Sequence, residues 1–505
     1  MSGPAAIYLD HAASTPVEPA VAAAMAAALT DPSLVANPSA VGHAPGRAAA
    51  AAVEAARAEV AALIGATPAE VVFTSGATES DNLALLGAAR FRRARGRHII
   101  TSLAEHRAVI EAARVLEREG WRVTWLRPGP SGSVEPSAVA EALQPDTTLV
   151  SLMSVNNETG AVTDVATIGA LCRSRGVLFH VDAAQAAARL PIDVRAQAID
   201  LLSLSGHKLY GPKGIGALFI DRQHAGRVEP LMVGGGQERG LRPGTVPTHQ
   251  VIGFGLACRL ARGRGAEDRR RELALRERLA AALRPEPGVS LNAEGAGTAG
   301  HILSVSVAGV EGESLFAALE PLAVASGSAC ASPTGEPSYV LRLLGRTAAE
   351  AQASVRFSFG RGTTEVGIDA AAVHFLAAVR RLRAESPATG DPAPAGEGPL
   401  IRGTAGSAEA GTWVAVAARV EAGRLGPPDF RVFGCPDVRA TCAALARQLA
   451  GQPVAALAGT NPLAVAAGLG VARAKAGRLL VVQDALRNCL ADWENGRFLS
   501  APAEP

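Results

Sequence analysis

Lys208 lies in Ser205-Gly206-His207-Lys208-Leu209-Tyr210-Gly211-Pro212-Lys213-Gly214, with apolar runs on either side at 201–204 and 215–220. The pattern puts an amine on a strand-to-strand turn. Partial desolvation there lowers a lysine pKa and suits the amine to form an imine with an aldehyde such as pyridoxal phosphate. A solvated lysine on a Gly-Pro turn has the same local composition, so neighbouring chemistry has to decide. Upstream, Val177-Leu178-Phe179-His180-Val181-Asp182 reads as a buried strand ending in a carboxylate. A carboxylate so placed can keep a pyridine nitrogen protonated, which makes the ring an electron sink. Further upstream, Phe73-Thr74-Ser75-Gly76-Ala77-Thr78-Glu79-Ser80 reads as a strand, a Gly turn and a helix start. Amides of Ser75, Ala77 and Thr78 and the Thr78 hydroxyl would receive a phosphate, aided by the helix dipole. The same string also reads as a plain N-cap.

Positioning these groups requires a sheet. Apolar strands alternate with Ala-rich helical stretches from about 50 to about 260, the rhythm of a parallel sheet covered by helices. Residues 259–283, dense in Arg, Glu and Ala, predict a long solvated helix leading to a smaller region with strands at 301–307 and 354–359. The stretch Ser386-Pro387-Ala388-Thr389-Gly390-Asp391-Pro392 and its continuation to Pro399 has linker composition. A further unit follows. With 505 residues and 48% hydrophobic content, more than one folded unit is expected. A net charge of +2, with both signs interspersed, carries no nucleic-acid or membrane signature, and small-molecule chemistry is expected. The amino terminus lacks a signal-peptide pattern and no apolar run is long enough to span a bilayer, so a cytoplasmic location is expected. The six cysteines form no Cys-x-x-Cys pair and are expected to be reduced thiols, with no metal site.

The order phosphate turn, aspartate strand, lysine turn resembles that of a fold-type I pyridoxal phosphate enzyme. Together with Tyr8-Leu9-Asp10-His11-Ala12-Ala13-Ser14-Thr15-Pro16, Val155-Asn156-Asn157-Glu158-Thr159-Gly160, Ser326-Gly327-Ser328-Ala329-Cys330 and Arg356-Phe357-Ser358-Phe359-Gly360-Arg361, it resembles cysteine desulfurases of the NifS/IscS class, within the class-V aminotransferases, from about 7 to about 382. The resemblance implies a large, mostly parallel α/β part at about 15–260 and a small α+β part at 1–14 and 261–384. It implies pyridoxal 5'-phosphate as cofactor, L-cysteine as substrate, a homodimer, and a sulfur-acceptor or iron-sulfur scaffold protein as partner. Lys208, Cys330 and His106 resemble the catalytic residues. Ala77, Thr78, His106, Asp182, Gln185, Ser205, His207 and Lys208 resemble cofactor ligands, with Thr245 a phosphate contact supplied by the neighbouring subunit. Asn157 and Arg356 resemble the holders of the substrate carboxylate, where a guanidinium grips both oxygens. A structural ion pair competes for Arg356.

Cys330 separates desulfuration from other pyridoxal chemistry. Its surroundings, Ser-Gly-Ser-Ala-Cys-Ala-Ser-Pro-Thr-Gly, are too small and polar to bury, which predicts a loop able to carry a thiol between a buried site and an acceptor, with at most a transient iron-sulfur contact. Its length resembles the branch of the family that hands sulfur directly to acceptors. A selenocysteine lyase, another small-substrate class-V aminotransferase and a non-catalytic interaction protein are the alternatives.

Beyond a linker at 385–404, residues 405–505 alternate as strands near 412–420 and 430–435 and turn helical near 440–450, a small α/β unit. This part resembles NifU/IscU-type scaffold domains around Phe433-Gly434-Cys435 and 475–485. It departs from them where thiolate ligands are expected: Ala410 and Thr412 stand at one such place and no cysteine lies near Arg478. A unit keeping only Cys435 is not expected to hold a cluster by itself. Docking of partners, occupation of the scaffold-binding surface, sulfur acceptance on Cys435 and a structural appendage remain open readings.

Overall fold

The computed structural model describes residues 6–222, 228–295, 297–326, 337–384 and 391–496. Cys330, and the 385–390 part of the expected linker, lie outside the described residues.

The larger unit is built on a seven-stranded sheet in the order Val71–Thr74, Gly216–Ile220, Leu201–Ser205, Leu178–Asp182, Thr147–Met153, His98–Ser102, Arg122–Leu126. Only Gly216–Ile220 runs against its neighbours; the other pairings are parallel. Every residue of the strands Leu178–Asp182, Leu201–Ser205 and Gly216–Ile220 is buried, as a sheet covered on both faces demands. One face packs Phe73, Ile100, Val150, Phe179, Leu204 and Phe219 against Val53, Val60 and Phe254. The other packs Ile99, Leu149, Leu178 and Leu218 against Leu83, Leu85, Val109 and Leu116.

The helix expected at 259–283 starts earlier and is not simply solvated. It is continuous over Thr248–Leu283, 36 residues, about 54 Å at 1.5 Å per residue. Its first half buries Val251, Phe254, Ala257 and Ala261 in the large core, and its second half buries Leu275, Leu279 and Leu283 in another. Apolar residues at helical spacing hide among the arginines, so charge density alone misreads it.

That second core belongs to a four-stranded antiparallel sheet, Ala325–Ser326, Ser354–Ser358, Ile302–Val307, Val289–Leu291, covered by the helices Gly312–Ala318 and Glu365–Ala384. The amino-terminal strand Ile7–Tyr8 pairs in parallel with Leu322–Ala323, and Asp10 bridges to Ser358. The next residues cross from this sheet to the lysine turn: Thr15 N–H and Oγ1 both reach the His207 carbonyl at 2.9 Å.

The carboxyl-terminal unit has a third core, between an antiparallel sheet of Leu400–Ser407, Thr412–Glu421 and Asp429–Phe433 and the helices Pro436–Leu449 and Ala476–Glu494. Its first strand begins inside the expected linker, at Leu400, because Leu400 and Ile401 offer an apolar start that the preceding Pro/Gly stretch lacks. At Gly403 a side chain would meet Ala485 O at 2.1 Å and Cys489 N at 2.3 Å, so only glycine lets this strand lie on the last helix. The unit sits on Gly312–Ala318 of the small unit. Ser314 Oγ donates to the Gly434 carbonyl at 2.8 Å, and Glu313 receives Lys475 Nζ and Arg478 Nη1, each at 2.7 Å.

Candidate active site

The turn from strand Val71–Thr74 into the helix Ala77–Asn82 passes through Gly76 at φ +154°, ψ −179°, a region essentially reserved for glycine. Gly216 crosses directly behind it: a side chain there would lie 2.6 Å from Gly76 Cα. Ala77 and Thr78 thus open the helix with N–H groups that have no intrahelical acceptor. Ser75 differs from expectation. Its N–H is given to Glu79 Oε2 at 2.7 Å, so this amide is already engaged.

Lys208 ends the short turn Gly206–Lys208 between the antiparallel strands Leu201–Ser205 and Gly216–Ile220. Its Nζ donates to the Ala12 carbonyl, which also accepts Gln185 Nε2 at 2.8 Å. Arg189 Nη1 holds the Lys208 carbonyl at 2.9 Å. Asp182 ends its strand and is buried, with Oδ1 receiving Ala184 N–H at 2.9 Å. His106 caps the helix Arg107–Arg118: Nδ1 accepts Ala108 N–H at 3.2 Å, which leaves the proton of the neutral ring on Nε2. Burial lowers its pKa, Lys208 adding to this and Asp182 opposing it. His207 is pushed down to about 4 by burial and the charges of Lys208 and Lys213, and its Nδ1 faces Ser14 Oγ at 3.3 Å.

These groups converge on one cavity of about 470 Å³, lined by Ala77, Thr78, His106, Asn157, Asp182, Gln185, Ser205, His207, Lys208 and Arg356. Arg356 shows both of the competing features. It is 2% exposed and pairs with Asp10 at 2.8 Å, while Nη1 donates to the Asn157 carbonyl at 2.8 Å and Nε has no hydrogen-bonding partner among the described residues. Thr245 is exposed and does not line this cavity. The motif reading missed part of the wall: Ala13, Ser14, Glu79, Met153, Val155 and Ala184 also line it. The Asp10–Thr15 string carried a signal in its cluster of small and hydroxyl residues, but nothing local told it to fold over Lys208.

The donor set fits pyridoxal phosphate. Helix-start amides, Ser205 and His207 suit a phosphate, Lys208 suits the aldehyde and Asp182 suits the ring nitrogen, all within a volume typical of small-molecule sites.

Comparison with known proteins agrees. The family model "Aminotransferase class-V" matches residues 7–371. The chain belongs to this family. It is 52% identical over 381 residues to a protein named cysteine desulfurase IscS from Pseudomonas aeruginosa, covering 75% of this chain and 94% of that one, and 52% identical over the same length to its namesake from Vibrio cholerae. Among solved structures, a NifS-like protein is similar with a TM-score of 0.69 at 30% identity, covering 75% of this chain and all of that one. SspA, solved in complex with cysteine, is similar with a TM-score of 0.63 at 37% identity, covering 71% and 100%. This class-V chain is therefore a pyridoxal phosphate-dependent enzyme of the cysteine desulfurase type.

The five described cysteines are buried. Burial pushes the Cys172, Cys442 and Cys489 thiols up to about 12 and Cys258 higher still, so these are packing residues. Cys435 is 0% exposed. It immediately precedes the helix Pro436–Leu449, with Arg478 against its sulfur and Lys475 close by, beneath the contact with Gly312–Ala318. Among the described residues no helix is long and apolar enough to cross a membrane.

Proposed function

We propose that this enzyme removes sulfur from L-cysteine, releases L-alanine and leaves a persulfide on Cys330 for transfer to an acceptor protein in iron-sulfur cluster or thio-cofactor biosynthesis. The observation that carries the reading is the convergence of Lys208, Asp182 and the Ala77-Thr78 turn on one cavity, in a chain 52% identical over 381 residues to a cysteine desulfurase. Bound pyridoxal phosphate supplies the aldehyde that captures the substrate amine and the ring that draws electron density from its Cα. Asp182 would keep the ring nitrogen protonated, Gln185 would address the phenolic oxygen, and Ser205, His207 and Thr78 would hold the phosphate. Lys208 moves the proton at the substrate Cα, its amine partly stripped of water by the Ala12 wall. Asn157 and Arg356 grip the substrate carboxylate, which orients the thiol toward His106. With its ring neutral, His106 exchanges a proton beside the sulfur. The Cys330 thiolate then attacks that sulfur: an S–S bond forms as the C–S bond breaks, and the electron pair stays with the substrate carbon, which takes up a proton.

Thr245, exposed on its own subunit, is assigned to the phosphate of a second copy, so the working form is a homodimer in the cytoplasm. The carboxyl-terminal unit is read as a degenerate NifU/IscU-like domain. Its Cys435, packed in the core of that unit, accepts sulfur only when that core opens.

Borohydride reduction followed by peptide mapping tests the first step, with the adduct expected on Lys208. Cys330→Ala should keep the absorption band of bound cofactor and lose persulfide formation from labelled cysteine. Undiminished sulfide release in that variant refutes the desulfuration route.

A further inference from the structure

The turn that receives the phosphate carries a carboxylate. Glu79 Oε2 takes the Ser75 N–H at 2.7 Å, its Oε1 takes Arg242 Nε at 3.0 Å, and Glu79 itself lines the cavity beside Ala77 and Thr78. The two side chains are 17% and 24% exposed, so the pair is largely withdrawn from water. Burial works to raise the Glu79 pKa, but the bonds from Ser75 and Arg242 outweigh it and hold the group below the ordinary carboxylate range. Glu79 is therefore ionised at neutral pH, a fixed negative charge at the place where an anion must bind. His207, held at about 4, brings no compensating charge.

Arg242 comes from a separate segment, just ahead of Thr245, and reaches Glu79 across 163 positions of sequence. We propose that Arg242 is a positioning residue for the cofactor phosphate: it cancels the charge of Glu79 and so allows Glu79 to shape the turn through Ser75 N–H without repelling the phosphate. The proposal rests on the reading that the Ser75–Thr78 turn holds that phosphate. It also makes one segment serve the turn twice, Arg242 on its own subunit and Thr245 on the second copy.

The test uses the full-length chain stripped of cofactor and titrated with pyridoxal 5'-phosphate and, separately, with pyridoxal, which lacks the phosphate. Arg242→Ala should weaken pyridoxal phosphate binding by about tenfold or more and leave pyridoxal within about twofold, since an uncancelled charge acts on the phosphate alone. Adding Glu79→Gln to Arg242→Ala should restore pyridoxal phosphate binding to within about threefold of the unaltered chain, and Arg242→Lys, which keeps the cation, should bind like the unaltered chain. Equal losses for both ligands, or no recovery in the double variant, overturn the proposal and leave Arg242 as a structural residue. If Arg242→Ala does not fold, Arg242→Lys and the double variant decide by the same criteria. An unaltered chain that binds pyridoxal as tightly as pyridoxal phosphate refutes instead the phosphate reading of the turn, and the proposal with it.

Discussion

Glu238→Gln should unfasten the free edge of the large sheet. Among the described residues, Val71–Thr74 has a strand partner on one side only, Gly216–Ile220. Side chains close the other side: Phe73 N–H donates to Glu238 Oε2 at 2.7 Å, and the Val71 carbonyl accepts Arg57 Nη1 at 3.1 Å and Arg239 Nη2 at 2.6 Å. Arg57 also grips Glu238 with both terminal nitrogens, at 2.7 and 2.8 Å, and lies over the Phe73 ring. With side chains 5% and 2% exposed the pair is fully desolvated, and breaking such a pair from one side costs about 3–5 kcal/mol. Glutamine keeps the shape and one acceptor oxygen, so Glu238 and Arg239 positions stay at their left-handed φ of 46° and 58° and no strain is recovered as an offset. Hydrogen exchange read by mass spectrometry on peptides covering 71–74 is the assay. Protection there should fall by about two to four decades, the same energy at about 1.4 kcal/mol per decade. Protection within tenfold of the unaltered chain refutes the claim that this ion pair closes the edge.

Asp81 and Glu105 lie fully buried near Asp182, and burial, reinforced by the Asp182 charge, raises both carboxyls well above their ordinary range. Folded-state values above the unfolded ones mean that the folded chain keeps protons the unfolded chain has released, so their contribution is complete below about pH 4 and is lost as pH rises toward the folded values. Asp81→Asn removes that loss: its melting temperature should exceed that of the unaltered chain at about pH 8, with the gain shrinking toward about pH 4.5, and a gain independent of pH refutes the assignment. At the carboxyl-terminal contact, Glu313 and its partners Lys475 and Arg478 are 43%, 31% and 36% exposed, so each pair is worth only about 0.2–1 kcal/mol. Glu313→Lys should speed limited proteolysis between the small sheet domain and Leu400 by about 2- to 30-fold, as should raised salt on the unaltered chain. Unchanged cleavage in both would show that Ser314 and apolar packing hold the unit without the charges.

What was legible in the sequence was what is local. Lys208, Asp182 and the Ala77-Thr78 turn each sit at the end of a strand whose apolar run announces it, and strand ends on one side of a sheet converge without further instruction. The residues that were missed act over long separations. Ala12 reaches Lys208 and Gln185 from the far end of the chain, and Arg242 meets Glu79, through contacts that no periodicity records. The same limit explains Ser75. Its amide looks free in a helix-start motif until the helix's own Glu79 turns back to take it. The long helix was misjudged for a different reason: the second core takes residues such as Leu275 and Leu279, spaced a turn apart, and even the intervening Arg276 is buried, its Nε donating to the Ile302 carbonyl at 3.1 Å.

The carboxyl-terminal unit joins the two kinds of reading. The expected resemblance to a metal-holding scaffold lacked the thiols such a scaffold needs, and the fold shows what the cations near Cys435 do instead. Arg478, near which the expected resemblance to a scaffold calls for a cysteine and finds none, lies against the Cys435 sulfur and extends its guanidinium to Glu313 of the neighbouring unit. Lys475 does the same from one turn earlier, bridging Glu313 and Asp437. A guanidinium cannot bind a metal, but it can anchor a surface to a carboxylate. Arg478 and Lys475 thus supply the docking contact, and Cys435, packed in the core of the carboxyl-terminal unit with both cations acting on its sulfur, is a thiol whose chemistry depends on whether that core opens.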